Sequence, residues 1–138
     1  MTKKILVAVD GSAESEKATR YAAEHAKKYN TELTILHVIE RDPSYRETSP
    51  ETKNSLRKRA NAFAEPMKNL AKKIGAKTDI IILAGIKPSA EIIRFAEKEN
   101  YGLIVIGCRG KSVIKRLTLG SVSAEVIRYS HCPVTVVR

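Results

Sequence analysis

Short apolar runs alternate with longer amphipathic stretches along the chain. Ile5 to Val9 is a continuous, β-branched-rich run, the pattern of a strand buried on both faces. Asp10-Gly11-Ser12 then marks a turn, with Ser12 as a helix N-cap. Ala18, Tyr21, Ala22, Ala26 and Tyr29 follow at helical spacing, and Asn30 closes that helix. Leu33 to Ile39 predicts a second strand, and Glu40 to Thr48 a polar loop. Ser49-Pro50-Glu51 is a strong helix start, combining a cap residue, proline at the first position and an acid in the first turn. Leu56, Ala60, Phe63, Met67, Leu70 and Ile74 make its apolar stripe, and Gly75 ends it. Pro66 inside this helix predicts a kink, because proline has no N–H and crowds the carbonyl of Ala62.

Asp79 to Leu83 predicts a third strand. Pro88 opens a third helix with Ile92, Ile93, Phe95 and Ala96 on its apolar side. Leu103 to Ile106 is a fourth strand, Gly107 to Leu119 an aperiodic loop, Gly120 to Tyr129 a short helix and Val134 to Val137 a last strand. Strict alternation of strand and helix predicts an α/β fold: a doubly wound, five-stranded parallel sheet with helices on both faces. There is no repeat, low-complexity tract or linker, so one domain is expected over residues 1–138.

In such sheets ligands bind beyond the carboxyl ends of the strands, where the strand order reverses. The first and fourth strands are the two followed by glycine turns, Asp10-Gly11-Ser12 and Gly107-Cys108-Arg109-Gly110. If they are neighbours, both turns line one crevice.

The second turn belongs to a longer pattern. Gly107 and Gly110 form G-x-x-G, and after nine residues Gly120-Ser121 opens a helix. Glycine after a strand lets backbone N–H groups approach an anion closely. The free N–H groups and dipole of a helix start favour phosphate. Ser121 and Ser123 add hydroxyls, and Arg109, Lys111, Lys115 and Arg116 add positive charge. G-x-x-G alone also describes an ordinary tight turn; the strand before it and helix after it favour phosphate binding. No G-K-[ST] opens the helix and no G-x-G-x-x-G is present, so neither a Walker loop nor a dinucleotide fingerprint applies.

Composition narrows the class. Of 138 residues, 43% are hydrophobic and 29% charged, which suits a soluble globular protein. No apolar run approaches the roughly 20 residues that span a bilayer, so no membrane association is expected. Asp10 and Gly11 cut the first apolar run short, and no cleavage-type region follows, so the chain is expected to be cytoplasmic. Cys108 and Cys132 form neither a metal-ligand pattern nor a disulfide framework. His25, His37 and His131 share no ligand spacing, and His37 is expected to pack with a partner on its strand. The net charge of +10 suits anionic partners without choosing among them. Lys53, Arg57, Lys58, Arg59, Lys68, Lys72 and Lys73 make the second helix basic. With little aromatic interleaving and no nucleic-acid motif, this is read as a solvated face, and nucleic acid is not the expected partner.

Two single residues have competing readings. Asp10, at a strand's carboxyl end, suits a ribose or metal ligand better than a turn aspartate bonding its own backbone. Cys108 suits a small filler of a tight loop better than a reactive thiol beside Arg109.

The chain resembles the universal stress protein family along essentially its full length. Lys4 to Ser12, Leu36-His37-Val38, Leu103 to Gly110, Leu119 to Ser123 and Cys132 to Arg138 are similar to that family's strand and loop motifs. The uninterrupted G-x-x-G-x9-G-[ST] resembles the family's ATP-binding branch. That resemblance implies roles residue by residue. Ala8, Val9 and Asp10 border the nucleoside, with Asp10 on the ribose or metal side. Val38 offers backbone groups to adenine. Gly107, Cys108, Arg109, Gly110, Lys111, Ser112 and Val113 wrap the phosphates, and Gly120, Ser121, Val122 and Ser123 cap them. The implied cofactors are ATP and Mg2+, and the implied partner is a second copy paired through Val134, Thr135, Val136 and Val137. Tyr101-Gly102 departs from the family's usual small residue and Asp, Cys108 replaces a common Ser, and the basic balance is unusual.

The function expected is a nucleotide-dependent sensor of stress response. Slow ATP hydrolysis or phosphorylation of Ser121 or Ser123 stays open, because only Asp10 could orient a water. A small ATP-dependent transferase and a basic nucleic-acid or partner scaffold are the alternatives.

Overall fold

A computed structural model describes residues 3–42, 49–108 and 119–138. The alternating pattern becomes β1 (Ile5–Ala8), α1 (Ala13–Lys28), β2 (Glu32–Glu40), α2 (Pro50–Ile74), β3 (Lys77–Gly85), α3 (Pro88–Lys98), β4 (Leu103–Gly107), α4 (Ser121–Tyr129) and β5 (Val134–Val137). All five strands pair in parallel, in the order β3-β2-β1-β4-β5.

Side-chain alternation on β1 explains the two layers of helices. Ile5, Val7 and Val9 join one core with the alanines of α1 and α2. Leu6 and Ala8 join a second core with Ile92 and Ala96 of α3 and Val126 of α4. The strand is buried on both faces, as its unbroken apolar run requires. The sheet is therefore doubly wound, with α1 and α2 on one side and α3 and α4 on the other.

The local signals act where the sequence puts them. The Ser12 hydroxyl accepts from Ser15 N–H at 3.2 Å, and the Ser49 hydroxyl from Thr52 N–H at 3.2 Å. Gly75 ends α2 in the left-handed conformation. α1 ends one residue earlier than expected, with Tyr29 as its cap and Asn30 turning the chain at φ 52. The expected kink at Pro66 does not break α2, which runs through it as one helix.

β2 and β3 exceed their apolar runs at both ends. Their register pairs Glu32 with Lys77 through Glu40 with Gly85, so backbone bonding carries polar end residues into the strands. β1 is shorter, and its last pair with β2 is Ala8↔Leu36. The carboxyl end of β2 therefore overhangs β1, leaving the edge from His37 onward without a strand beside it on that side.

Candidate functional site: a crevice at the strand-order reversal

β1 lies between β2 and β4, so the chain winds outward in one direction through β2 and β3 and in the other through β4 and β5. The reversal falls between β1 and β4, the two strands followed by glycine turns. A cavity of about 390 Å³ opens at their carboxyl ends. The ends of β1, β2 and β4 and the first turns of α1, α3 and α4 wall it.

Asp10 sits at the rim. Its Oδ1 accepts from Ser12 N–H at 2.9 Å and from the Ser15 hydroxyl at 2.7 Å, while its own N–H donates to Ser15 Oγ at 2.8 Å. Partial burial pushes the carboxyl's pKa up, but the bonds from Ser12 and Ser15 outweigh it and hold it below the ordinary carboxylate value. Asp10 is thus an ionised group fixed by the start of α1, and both bonds it receives fall on Oδ1. Gly11 makes this turn possible, at φ +85 and with Phe63 packed 3.0 Å from where a Cβ would stand.

The opposite wall is the start of α4. Its N-cap is Gly120, which has no side chain with which to satisfy the first N–H groups, and no side-chain cap bond forms there. α1 and α2 both spend a serine on that task. The first turn of α4 faces the cavity through Ser121, Val122 and Ser123. Ser123 is buried, and its hydroxyl donates to the Gly107 carbonyl at 2.7 Å. Its single proton is spent there, so Ser123 holds the end of β4 to α4 rather than serving as a free hydroxyl donor.

Gly107 allows the close approach on which this wall depends. A Cβ at this position would lie 2.9 Å from Glu14 Cβ and 3.1 Å from Glu14 backbone atoms. Cys108 is buried and outside the cavity lining, its N–H donating to the Val137 carbonyl at 2.8 Å and its carbonyl accepting from Gly120 N–H at 3.1 Å. Those two backbone bonds tie Cys108 to the end of β5 and to the start of α4.

On the β2 side, His37 Nδ1 is 2.7 Å from the Val9 carbonyl, and its ring meets Phe63 edge-on at 5.5 Å. A carbonyl only accepts, so Nδ1 carries the proton. Val38 stands on the overhanging edge of β2, beside the cavity.

The structure brings together Ala8, Val9, Asp10, Val38, Gly107, Gly120, Ser121, Val122 and Ser123 around one cavity. Arg109, Gly110, Lys111, Ser112 and Val113 lie outside the described residues. Sequence reasoning missed Glu14 and Ser15 of α1, His37 of β2, and Pro88 and Ile92 of α3 as wall residues. Ser15 could have been found as the capping partner three residues after Ser12. The α3 residues carry no such signal, since only the sheet order brings that helix to the crevice. Among the described residues no cluster of three or more His, Cys, Asp or Glu side chains could hold a metal ion, and no helix is long and apolar enough to cross a membrane.

These features define a doubly wound α/β protein with an open helix N-terminus over a crevice at the strand-order reversal. The family model described as the universal stress protein family matches residues 1–138, and the chain belongs to that family. The universal stress protein YxiE of Bacillus subtilis is 37% identical, over 100% of both chains. The solved structure of protein MJ0577 of Methanocaldococcus jannaschii is 37% identical, with a TM-score of 0.83 and coverage of 99% of this chain and 96% of that one. A universal stress protein from Archaeoglobus fulgidus in complex with dAMP is 28% identical, with a TM-score of 0.76 and coverage of 99% and 98%.

Proposed function

We propose that this chain binds an adenine nucleotide, ATP with Mg2+, in the crevice between β1 and β4. The observation that carries the reading is the start of α4, a glycine-capped helix N-terminus turned toward a cavity of about 390 Å³. Such a terminus offers N–H groups and a positive dipole end to phosphate. The dAMP complex of the Archaeoglobus fulgidus relative supports an adenine nucleotide.

In this reading Ala8, Val9 and Asp10 border the nucleoside, and the exposed edge of β2 at Val38 offers backbone groups to adenine. Gly107 and the following residues through Val113 wrap the phosphates, which Gly120 and Ser121 cap. Mg2+ takes one or two carboxylates and fills its shell with phosphate and water oxygens. Asp10, ionised and bonded through one oxygen, suffices as the protein's ligand. The protein is then a cytoplasmic, nucleotide-dependent regulator of stress response, and hydrolysis, where it occurs, is slow. Occupancy is read by a second copy along β5, an edge strand whose four residues are all half-buried.

The test is calorimetry with Mg2+-ATP on protein stripped of nucleotide, with mass spectrometry of whatever the fresh protein releases. The expected result is one adenine nucleotide per chain. Gly120→Asp supplies the missing cap from within, because the extended backbone at position 120 accepts aspartate and its carboxylate lands on the N–H groups that phosphate would use. This variant should fold at least as stably as the parent and lose ATP binding. A Gly120→Asp protein that bound ATP as tightly as the parent would overturn the site.

A further inference from the structure

Half of the excess positive charge lies on one helix. α2 carries seven basic residues against two acidic ones, a surplus of five, half of the chain's net +10. Among the described residues none of these seven side chains is in an ion pair. All are exposed except Lys68, which is half-buried.

Helix stability does not account for the arrangement. Exposed helices gain from acids three or four residues away from bases. Arg57, Lys58 and Arg59 have no acid at either spacing. Instead Lys53 precedes Arg57 by four residues and Lys68 precedes Lys72 by four, both like-charge pairs that work against the helix. Only Lys72 and Lys73, in the last turn, complement the helix dipole.

The geometry suits an extended polyanion. Arg57, Lys68 and Lys72 fall within about 60° of one another around the helix and span about 22 Å along it. Exposed Asn54 and Asn61 lie on the same side, adding amide donors. The stripe continues onto α1, where the Lys27 side chain lies 3.1 Å from the Cβ position of Gly75 at the end of α2. Seating on a lipid surface is strengthened by apolar residues on the same face as the charge. The large apolar side chains of α2 lie off this stripe, with Leu56, Met67, Leu70 and Ile74 half-buried and the partly exposed Phe63 against His37.

We propose that the flank of α2 carrying Arg57, Lys68 and Lys72, beside α1, is a docking surface for the phosphate backbone of a nucleic-acid duplex, independent of base sequence and separate from the crevice. The charge complementarity of a cationic stripe, unpaired among the described residues, with a rigid row of phosphates carries it.

The test measures binding of a 24-base-pair DNA duplex of arbitrary sequence across a salt series. A second arm uses duplex RNA of the same length, and a third uses vesicles of phosphatidylcholine with phosphatidylserine. The parent should bind duplex with log affinity falling linearly against log salt, and bind the vesicles more weakly at equal ionic strength. The combined variant Arg57→Gln, Lys68→Gln, Lys72→Gln should lose at least about tenfold in duplex affinity at low salt, and its salt slope should shrink by about one per cation removed. It should unfold close to the parent, because relief of two repulsive pairs offsets the loss of Lys72 from the last turn and of the Glu65–Lys68 spacing. The Gly120→Asp variant should keep duplex binding, which separates this face from the crevice whatever the crevice holds. DNA or RNA binding on these terms supports the proposal. Unchanged affinity and slope in the triple variant, no duplex binding at low salt, loss in Gly120→Asp, or stronger binding to vesicles would each overturn it.

Discussion

The Ser123 hydroxyl donates to the Gly107 carbonyl at 2.7 Å, joining the carboxyl end of β4 to the first turn of α4 across a gap of sixteen residues in sequence. One buried proton thus sets the spacing between the two elements that frame the crevice. Ser123→Ala leaves that carbonyl short of its donor, which should cost about 1–3 kcal/mol. It should also weaken ATP binding, since the two walls lose their tie. Chemical denaturation and calorimetry on the same preparation check both. Parent-like stability and affinity in the variant would show that the bond is incidental.

Gly107 faces the constraint from the other side. A Cβ there meets the backbone of Glu14 as well as its side chain, and backbone in the first turn of α1 cannot yield as a flexible side chain can. Gly107→Ala should therefore destabilise the fold by about 1–3 kcal/mol through overpacking. Because β4 and α1 both wall the crevice, nucleotide affinity should fall with it. A thermal melt of Gly107→Ala matching the parent's would refute the close approach.

Much of this was legible in the chain. Strict alternation of strand and helix gave the layers, and glycine after Ile106 and before Ser121 marked the crevice wall. The reasons for the misses are physical. Hydrophobic pattern locates strands by their apolar residues, whereas the register from Glu32↔Lys77 to Glu40↔Gly85 is made by backbone groups that polar residues also possess. The overhang of β2 past β1, which exposes the edge at Val38, is a difference between two strand lengths and is visible only after pairing. Ser123 reads in sequence as a hydroxyl near a phosphate loop, and only the fold shows where its proton goes. Likewise, seven bases on α2 could be counted from sequence, but that none is ion-paired among the described residues is a fact of three-dimensional neighbours. The middle of the glycine-rich loop, Arg109 to Val113, remains a sequence-based expectation.

Asp10 should leave a signature in acid. Its folded pKa lies below the ordinary 3.8, because hydrogen bonds from Ser12 and Ser15 outweigh the effect of burial. A carboxyl depressed on folding contributes stability that is complete above its unfolded pKa and is lost as pH falls through its folded pKa. Stability of the parent should therefore decline from about pH 4 downward more steeply than that of Asp10→Asn. Near neutral pH the same variant should bind Mg2+-ATP more weakly with a smaller dependence on Mg2+, the ionised carboxylate being gone. Parallel acid-denaturation curves for the two proteins would show that the Ser12 and Ser15 bonds do not favour the charged form.

Tyr101 makes the corresponding case in base. It occupies a position where the sequence departs from the family's usual small residue, and the structure shows how it is accommodated. The ring is buried near the amino end of the sheet, packs at 5.7 Å from Phe95, lies under the Lys4 ammonium at 4.6 Å and donates its hydroxyl to Thr34 Oγ1 at 2.6 Å. Burial raises its pKa, the Thr34 bond pulls part of that back, and Glu99, Glu32 and Asp79 add to the rise. A phenol whose folded pKa exceeds its unfolded value near 10 contributes stability that is complete below that value and is lost as pH rises through the folded pKa. Parent stability should therefore fall above about pH 10, and Tyr101→Phe, with nothing to ionise there, should fall less. At neutral pH Tyr101→Phe should be about 1–3 kcal/mol less stable, since the buried Thr34 hydroxyl loses its partner. The two effects have opposite signs, so the stability difference between the proteins should narrow as pH rises. A difference that stayed constant from pH 7 to 11 would mean that the phenol is not held neutral by its surroundings.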